Sequence, residues 1–418
     1  MSEGPAPSPS AVDLHRSIGD AAGADITPAG TAPSDVAADD STAEGGTVRA
    51  QLWVGEDGFA LRELPVPALG PGEVRVRVRT AAICGSDRHT VAGLRESPCP
   101  GVLGHEGVGE IVALGAAPVP ADVSGRPLAV GDRVVWSVVS GCGRCDRCRA
   151  GRSAKCRRLR KAGHEAFAGD WALSGSYATH VLLPAGHDVV RVGPEVSDGV
   201  AAISACAGGT VMAALEAAGR STELSGARVL VSGVGMLGLL AVLAARAAGA
   251  ATVHAVDPSP ARRALALRAG ADSTAPPGDR APANGTSSGH GMTPQDGAMP
   301  GRGPSPLVDV ALEFSGAPQS VGSVLDALDV GGTAVLAGSV FPGPAVDLDP
   351  EALVRGWRTV TGVHNYEPRH LVQAVELLGR PGAAVLDDPE VLSAPVPLEE
   401  LPGAFTAPSA HLRTLVAP

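Results

Sequence analysis

The stretch LVSGVGMLGLLA (230–241) constrains this chain more than any other, because it sets Gly233, Gly235 and Gly238 in a G-x-G-x-x-G between two apolar runs. ARVLVSG before it reads as a buried strand, and MLGLLAVLAARAAG after the first glycines reads as a helix. In such a turn the first glycine permits the tight bend, the second lets backbone approach a pyrophosphate, and the third allows close helix packing. Met236 and Leu237 open the helix, whose N-terminus offers unpaired N–H groups and a partial positive charge to a phosphate. TVHAVD supplies the next strand and ends on Asp257, nineteen residues past Gly238. A carboxylate there hydrogen-bonds ribose hydroxyls and repels a 2′-phosphate, so NAD is the expected cofactor. Arg262 and Arg263 lie close by and leave NADP as the alternative.

Around this motif the chain alternates strand and helix. VMAALEAAG, SPARRALALRAGA, VDVALEFSG, TAVLAGS and WRTVTGV extend the series, and their apolar runs without alternation fit buried parallel strands in a doubly wound α/β sheet. Residues 276–306 interrupt it with seven Gly and seven Pro, which predicts a long flexible excursion between two strands. Upstream, between TVRAQLWV and about Val139, runs such as VRVRVRTAAI and VGEIVAL bounded by Gly and Pro are β-rich. Residues 1–46 carry few large apolar side chains and are expected to be a disordered tail.

At 418 residues two domains are expected, with a core built on Ala, Val and Leu because aromatics make up only 3%. A net charge of −11 argues against nucleic-acid binding while leaving room for a local basic pocket. No window approaches the roughly 18 apolar residues of a membrane span, and the N-terminus lacks the basic start and apolar core of a signal peptide. A cytoplasmic protein is the expectation, and in that reducing compartment clustered cysteines read as metal ligands.

Cys142, Cys145, Cys148 and Cys156 follow C-x2-C-x2-C-x7-C. Four thiolates suit tetrahedral zinc and leave no open position, so this lobe predicts a structural site. A second set is dispersed: Cys84, Ser86, Asp87 and His89 in AAICGSDRHT, His105 and Glu106 in VLGHEGVG, and Cys206 in ISACAGGT.

Taken in order, ICGSDRHT, GHEGVGEI, the four-cysteine lobe and GVGMLG with its downstream Asp resemble the zinc-dependent medium-chain alcohol dehydrogenases over roughly residues 48–418. The resemblance implies a GroES-like, β-rich catalytic domain split in sequence around a Rossmann domain. The expected boundaries are 47–206 for the first part of the catalytic domain, 207–360 for the nucleotide domain, and 361–418 for the return. It implies two zinc ions per chain, the catalytic one held by Cys84, His105 and Cys206, although sorbitol- and threonine-type relatives place Glu near the last position. It further implies that Glu106 lies beside that metal, Asp87 orients His105, Ser86 and His89 relay the substrate proton, and Thr210 contacts the nicotinamide. A homodimer or homotetramer acting on a small alcohol or aldehyde follows from the same resemblance.

LRKAGHEAF, LSGSYATHVLLPAG and the segment from GSVFPGPAV to EPRHL are similar to a bacterial subgroup associated with phosphonate catabolism. A hydroxyalkylphosphonate is therefore one expected substrate, and a polyol or amino alcohol is the alternative. A non-catalytic NAD-binding scaffold is the reading from another class, disfavoured by the complete ligand and relay sets. For an anionic substrate Lys161 and His164 are candidates, with His364, Asn365, Tyr366 and Arg369 as rivals; a merely solvated basic edge is the plainer alternative.

Overall fold

A computed structural model describes residues 46–278, 307–407 and 410–418. The expected tail and nearly all of the 276–306 excursion lie outside the described residues. Six strands form the nucleotide-binding sheet, in the order Ser273–Ala275, Thr252–Val256, Arg228–Ser232, Val308–Glu313, Leu328–Leu336 and Thr359–Gly362. Every pairing is parallel. Numbered along the chain this is 3-2-1-4-5-6, the Rossmann order, whose direction reverses beside Arg228–Ser232, and ligands bind at such a switch point. The apolar runs are here because both faces are covered: Val229, Val231, Val253, Ala255, Val310 and Leu312 are all buried.

The β-rich part is a seven-stranded sheet centred on Val74–Ile83 and Glu106–Leu114, which pair antiparallel. VRVRVR alternates as its pattern requires, with Val74, Val76 and Val78 buried and the arginines between them more exposed. The C-terminal strand Thr414–Ala417 pairs antiparallel with Val74–Ile83, which carries the chain's end back into this sheet.

One helical stretch, Asp198–Gly219, bridges the expected boundary at 206/207. Ser197 caps it by accepting the Val200 N–H at 3.3 Å. At 22 residues it is long and apolar enough to cross a membrane by length and composition, contrary to the expectation that no window comes near. Its most apolar window is 78% buried within the fold, the behaviour of a core helix. Ser204–Gly208 is a π-turn set into it, and Cys206 sits at the middle of that turn.

Candidate active site

The glycine turn has the geometry its motif requires. Gly233 has φ +87°, and a Cβ there would stand 2.7 Å from the Ser315 nitrogen. A Cβ on Gly238 would stand 1.9 Å from the Gly233 carbonyl oxygen, whereas one on Gly235 would meet no protein atom within 4 Å. Two glycines are thus demanded by packing, and the middle one faces open space at the start of helix Met236–Ala247. Asp257 is buried; its carboxylate accepts the Val234 N–H at 2.8 Å and the Ser259 N–H at 2.9 Å. The Arg262 guanidinium lies 3.8 Å from it. Met236 is buried, while Leu237 and Thr210 are half-buried.

The dispersed residues converge. Cys84 caps helix Gly85–Val91, His105 lies just before strand Glu106–Leu114, and Cys206 hangs from the π-turn. Their ligand atoms all fall within 4.8 Å of one another. Asp87 arranges two of the three: its carboxylate accepts the Cys84 N–H at 3.0 Å and faces His105 Nδ1 at 3.1 Å. With the Nδ1 proton on Asp87, Nε2 keeps its lone pair for the cluster. Hydrogen bonding from the Cys206 thiol holds the Cys84 thiol well below its usual range, with Arg413 adding to the effect. Two sulfurs and one imidazole nitrogen are the donor set of a catalytic zinc with an open fourth position.

Ser86 Oγ lies 3.2 Å from His105 Nε2. His89 packs edge-on against Phe341, ring centroids 4.4 Å apart, and its buried Nδ1 has no hydrogen-bond partner. The structure brings Ser86 to the cluster, but it draws no hydrogen bond between Ser86 and His89.

Two further contributors belong to no motif, and a third sits in a different place from the one expected. Arg413, from the C-terminal segment, donates to the Glu106 carboxylate at 2.8 and 3.3 Å and reaches Cys84 Sγ at 3.7 Å. Burial pushes the Glu106 carboxyl up to about 7 although Arg413 pulls it down. Tyr177 donates its hydroxyl to Asp87 at 2.9 Å and completes that carboxylate's donors. His164, which the sequence set apart as a substrate residue, stacks beside His105 with centroids 5.1 Å apart. Sequence alone signals none of the first two contacts, which span 307 and 90 residues.

The four lobe cysteines also have their sulfurs within 4.8 Å of one another, with Cys145 Sγ 3.5 Å from Cys148 Sγ and 3.9 Å from Cys156 Sγ. Zinc–sulfur bonds of about 2.3 Å in a tetrahedron place sulfurs roughly 3.8 Å apart, so these four fit the ion. Backbone N–H groups aim at the sulfurs: that of Arg144 helps bring Cys142 down to about 6, and Cys156 accepts from Cys142 and Arg158 at 3.2 and 3.3 Å.

Of the basic residues, Lys161 is half-buried and its ammonium makes no ion pair or hydrogen bond among the described residues. Burial lowers its pKa, the charges of Arg95 and Lys155 lower it further, and the Cys206 sulfur opposes them. Lys155 Nζ lies 3.1 Å from His364 Nδ1. Arg369 is instead committed to Glu216 at 2.7 and 2.8 Å. Asn365 lies against the lobe, its amide 3.5 Å from the Ala154 carbonyl, and Tyr366 is buried with its hydroxyl on the Ala205 carbonyl.

A Rossmann sheet joined to a β-rich domain, with a two-thiolate, one-imidazole cluster and a separate four-thiolate lobe, defines a zinc- and nicotinamide-dependent dehydrogenase. The family described as alcohol dehydrogenase GroES-like domain matches residues 70–194, and that described as zinc-binding dehydrogenase matches 236–380. The chain belongs to the zinc-dependent medium-chain alcohol dehydrogenases. It is 32% identical over 287 residues to an L-threonine 3-dehydrogenase of Edwardsiella ictaluri, covering 68% of this chain and 74% of that one. To an L-threonine 3-dehydrogenase of Yersinia pestis it is 30% identical over 356 residues, covering 84% and 93%. Among solved structures, an alcohol dehydrogenase from Thermotoga maritima superposes with a TM-score of 0.78 at 25% identity, covering 90% of this chain and 100% of that one. A zinc-binding dehydrogenase from Sinorhizobium meliloti bound to NADP gives 0.73 at 26%, covering 89% and 100%.

Proposed function

We propose that the chain oxidises the hydroxyl of an alcohol with an anionic head group, with a hydroxyalkylphosphonate as the substrate class and NAD as the preferred cofactor. The observation that carries the reaction is the convergence of Cys84, His105 and Cys206 within 4.8 Å. These three would hold the catalytic zinc, and Cys142, Cys145, Cys148 and Cys156 the structural one. Bound zinc supplies Lewis acidity to a substrate hydroxyl, and bound nicotinamide supplies the hydride acceptor. Asp87 fixes the His105 tautomer, and Tyr177 and the Cys84 N–H fix Asp87. Ser86, beside His105 Nε2, takes the substrate proton, and His89 with its unpartnered Nδ1 receives it on the way to solvent. Gly233, Gly235 and Gly238 would hold the cofactor's pyrophosphate, Asp257 its adenosine ribose with Arg262 nearby, and Thr210 would lie on the nicotinamide side. Arg413 keeps Glu106 in place beside the cluster.

Support for an anionic head comes from Lys161. A half-buried ammonium without a counter-charge is unfavourable unless a ligand completes it, and Arg95 and Lys155 add to the same field. The threonine dehydrogenase relatives favour a second reading, an amino alcohol such as threonine. These cations would attract the carboxylate of threonine but repel its ammonium, whereas a phosphonate head is negative throughout, which is why the anionic reading leads. The seven cysteines, all free thiols, suit the reducing cytoplasm. Exposed Val354 and Trp357 beside the edge strand Thr359–Gly362 support a homodimer or homotetramer.

The test is a panel of hydroxyalkylphosphonates, threonine, polyols and simple alcohols with NAD and NADP. A hydroxyalkylphosphonate with NAD should give the highest kcat/KM, and Lys161→Gln should lower its advantage over a simple alcohol by about tenfold, the worth of one charged contact. Preference for threonine would move the substrate to the amino-alcohol class, and no reduction of either cofactor by any alcohol would remove the reaction itself.

A further inference from the structure

Cys206 is the one ligand of the dispersed set carried by irregular helix. A π-turn disturbs the regular i→i−4 ladder and leaves its carbonyls to find other donors, so its geometry depends on what packs against it. Tyr366 does so. It is 2% exposed, its hydroxyl donates to the carbonyl of Ala205, the residue before Cys206, and it accepts the Val138 N–H at 3.2 Å. The two glycines after the turn make room for this approach. A Cβ on Gly209 would stand 2.7 Å from the Tyr366 ring, and one on Gly208 would stand 2.9 Å from Ala374 in helix Pro368–Leu378. The next residue, Glu367, turns the other way: its carboxylate accepts the Ser153 N–H at 2.9 Å, the Ala154 N–H at 3.1 Å and the Ser153 hydroxyl, all inside the four-cysteine lobe.

We propose that Tyr366 is a positioning residue for Cys206, holding the π-turn in the geometry that presents the thiolate to the metal, and that Glu367 ties this brace to the structural lobe. It rests on the reading that Cys84, His105 and Cys206 share one metal. The polar contacts of both residues are spent on the protein, Tyr366 on Ala205 and Val138 and Glu367 on Ser153 and Ala154. Their effect reaches the reaction through the Cys206 sulfur, and the sequence GG at 208–209 belongs to the same device.

The test uses the full-length protein with cobalt replacing zinc, since the thiolate-to-cobalt absorption reports the sulfur's placement without turnover. Tyr366→Phe removes only the hydroxyl. It should weaken metal at the three-ligand site by about tenfold, the usual cost of losing a group that orients a ligand, and shift that site's cobalt band. The lobe's metal and NAD binding should stay as in the wild type. Gly209→Ala, which displaces the ring and keeps the hydroxyl, should produce the same selective loss, and it decides the matter if the Phe variant does not fold. Wild-type affinity and an unshifted band in the folded variants would overturn the positioning role. Cys206→Ser separates the premise: if it leaves the second cobalt site unchanged, the shared-metal reading fails, whatever Tyr366 does.

Discussion

Cys142, Cys145, Cys148 and Cys156 come from fifteen consecutive residues and three of them stay half-exposed, whereas Cys84, His105 and Cys206 come from three separate segments beneath a buried polar network. In the lobe, backbone N–H groups lower two of the thiols, that of Arg144 foremost on Cys142 and that of Arg157 on Cys145, while burial pushes Cys148 up to about 12. The dispersed site needs partners from the whole fold: Asp87 with the Cys84 N–H, His105 and Tyr177, and Glu106 with Arg413. A closed shell of four thiolates can be written locally because it has only to hold an ion. An open shell has to hold an ion and aim its vacant position, so its geometry comes from tertiary structure.

If the lobe is self-contained and structural, Cys145→Ser should lose one zinc equivalent and a large share of the stability that such an ion lends. Structural zinc supplies on the order of 10 kcal/mol of binding free energy in isolated fingers, so thermal unfolding should move down sharply. A variant that keeps both ions and the wild-type midpoint would break the distinction.

A smaller effect tests the buried network. Arg413→Met leaves the fully buried Glu106 carboxylate without its partner, which should cost about 3–5 kcal/mol in urea unfolding. Adding Glu106→Gln should recover part of that loss. A single variant of unchanged stability would mean that the ion pair does not hold the site's floor.

The smallest effect lies outside both metal sites. Burial brings His187 down to about 4, outweighing the bond it donates to the Ser137 carbonyl at 2.8 Å. The folded state therefore resists protonation that the unfolded chain, near 6.5, accepts. Its contribution is full above pH 6.5, is lost as pH falls towards 4, and amounts to about 3 kcal/mol. His187→Gln should flatten stability across that window; an unchanged slope would assign the acid sensitivity elsewhere.

What could be read from sequence follows the same division. The glycine turn, Asp257 and the lobe are local patterns, and each has the geometry its spacing implies. The alternation in VRVRVR and the unbroken apolar strands are local too, and they delivered the two sheet types. Arg413 sits in HLRTLVAP, a stretch with no motif, because its partner Glu106 is 307 residues away. The π-turn was hidden for a related reason: SACAGG looks like ordinary helix until Tyr366, 161 residues on from Ala205, packs against it. GVHNYEPRH looked like a ligand-binding loop because it is polar and aromatic, yet Tyr366, Glu367 and Arg369 are spent on the fold.

The reacting metal belongs at the dispersed cluster of Cys84, His105 and Cys206. Zinc content measured together with alcohol-dependent NADH formation in His105→Ala tests this assignment most directly. The variant should carry one zinc per chain in place of two, show turnover below detection, and keep NAD binding. Two zinc ions with near-normal turnover would contradict it.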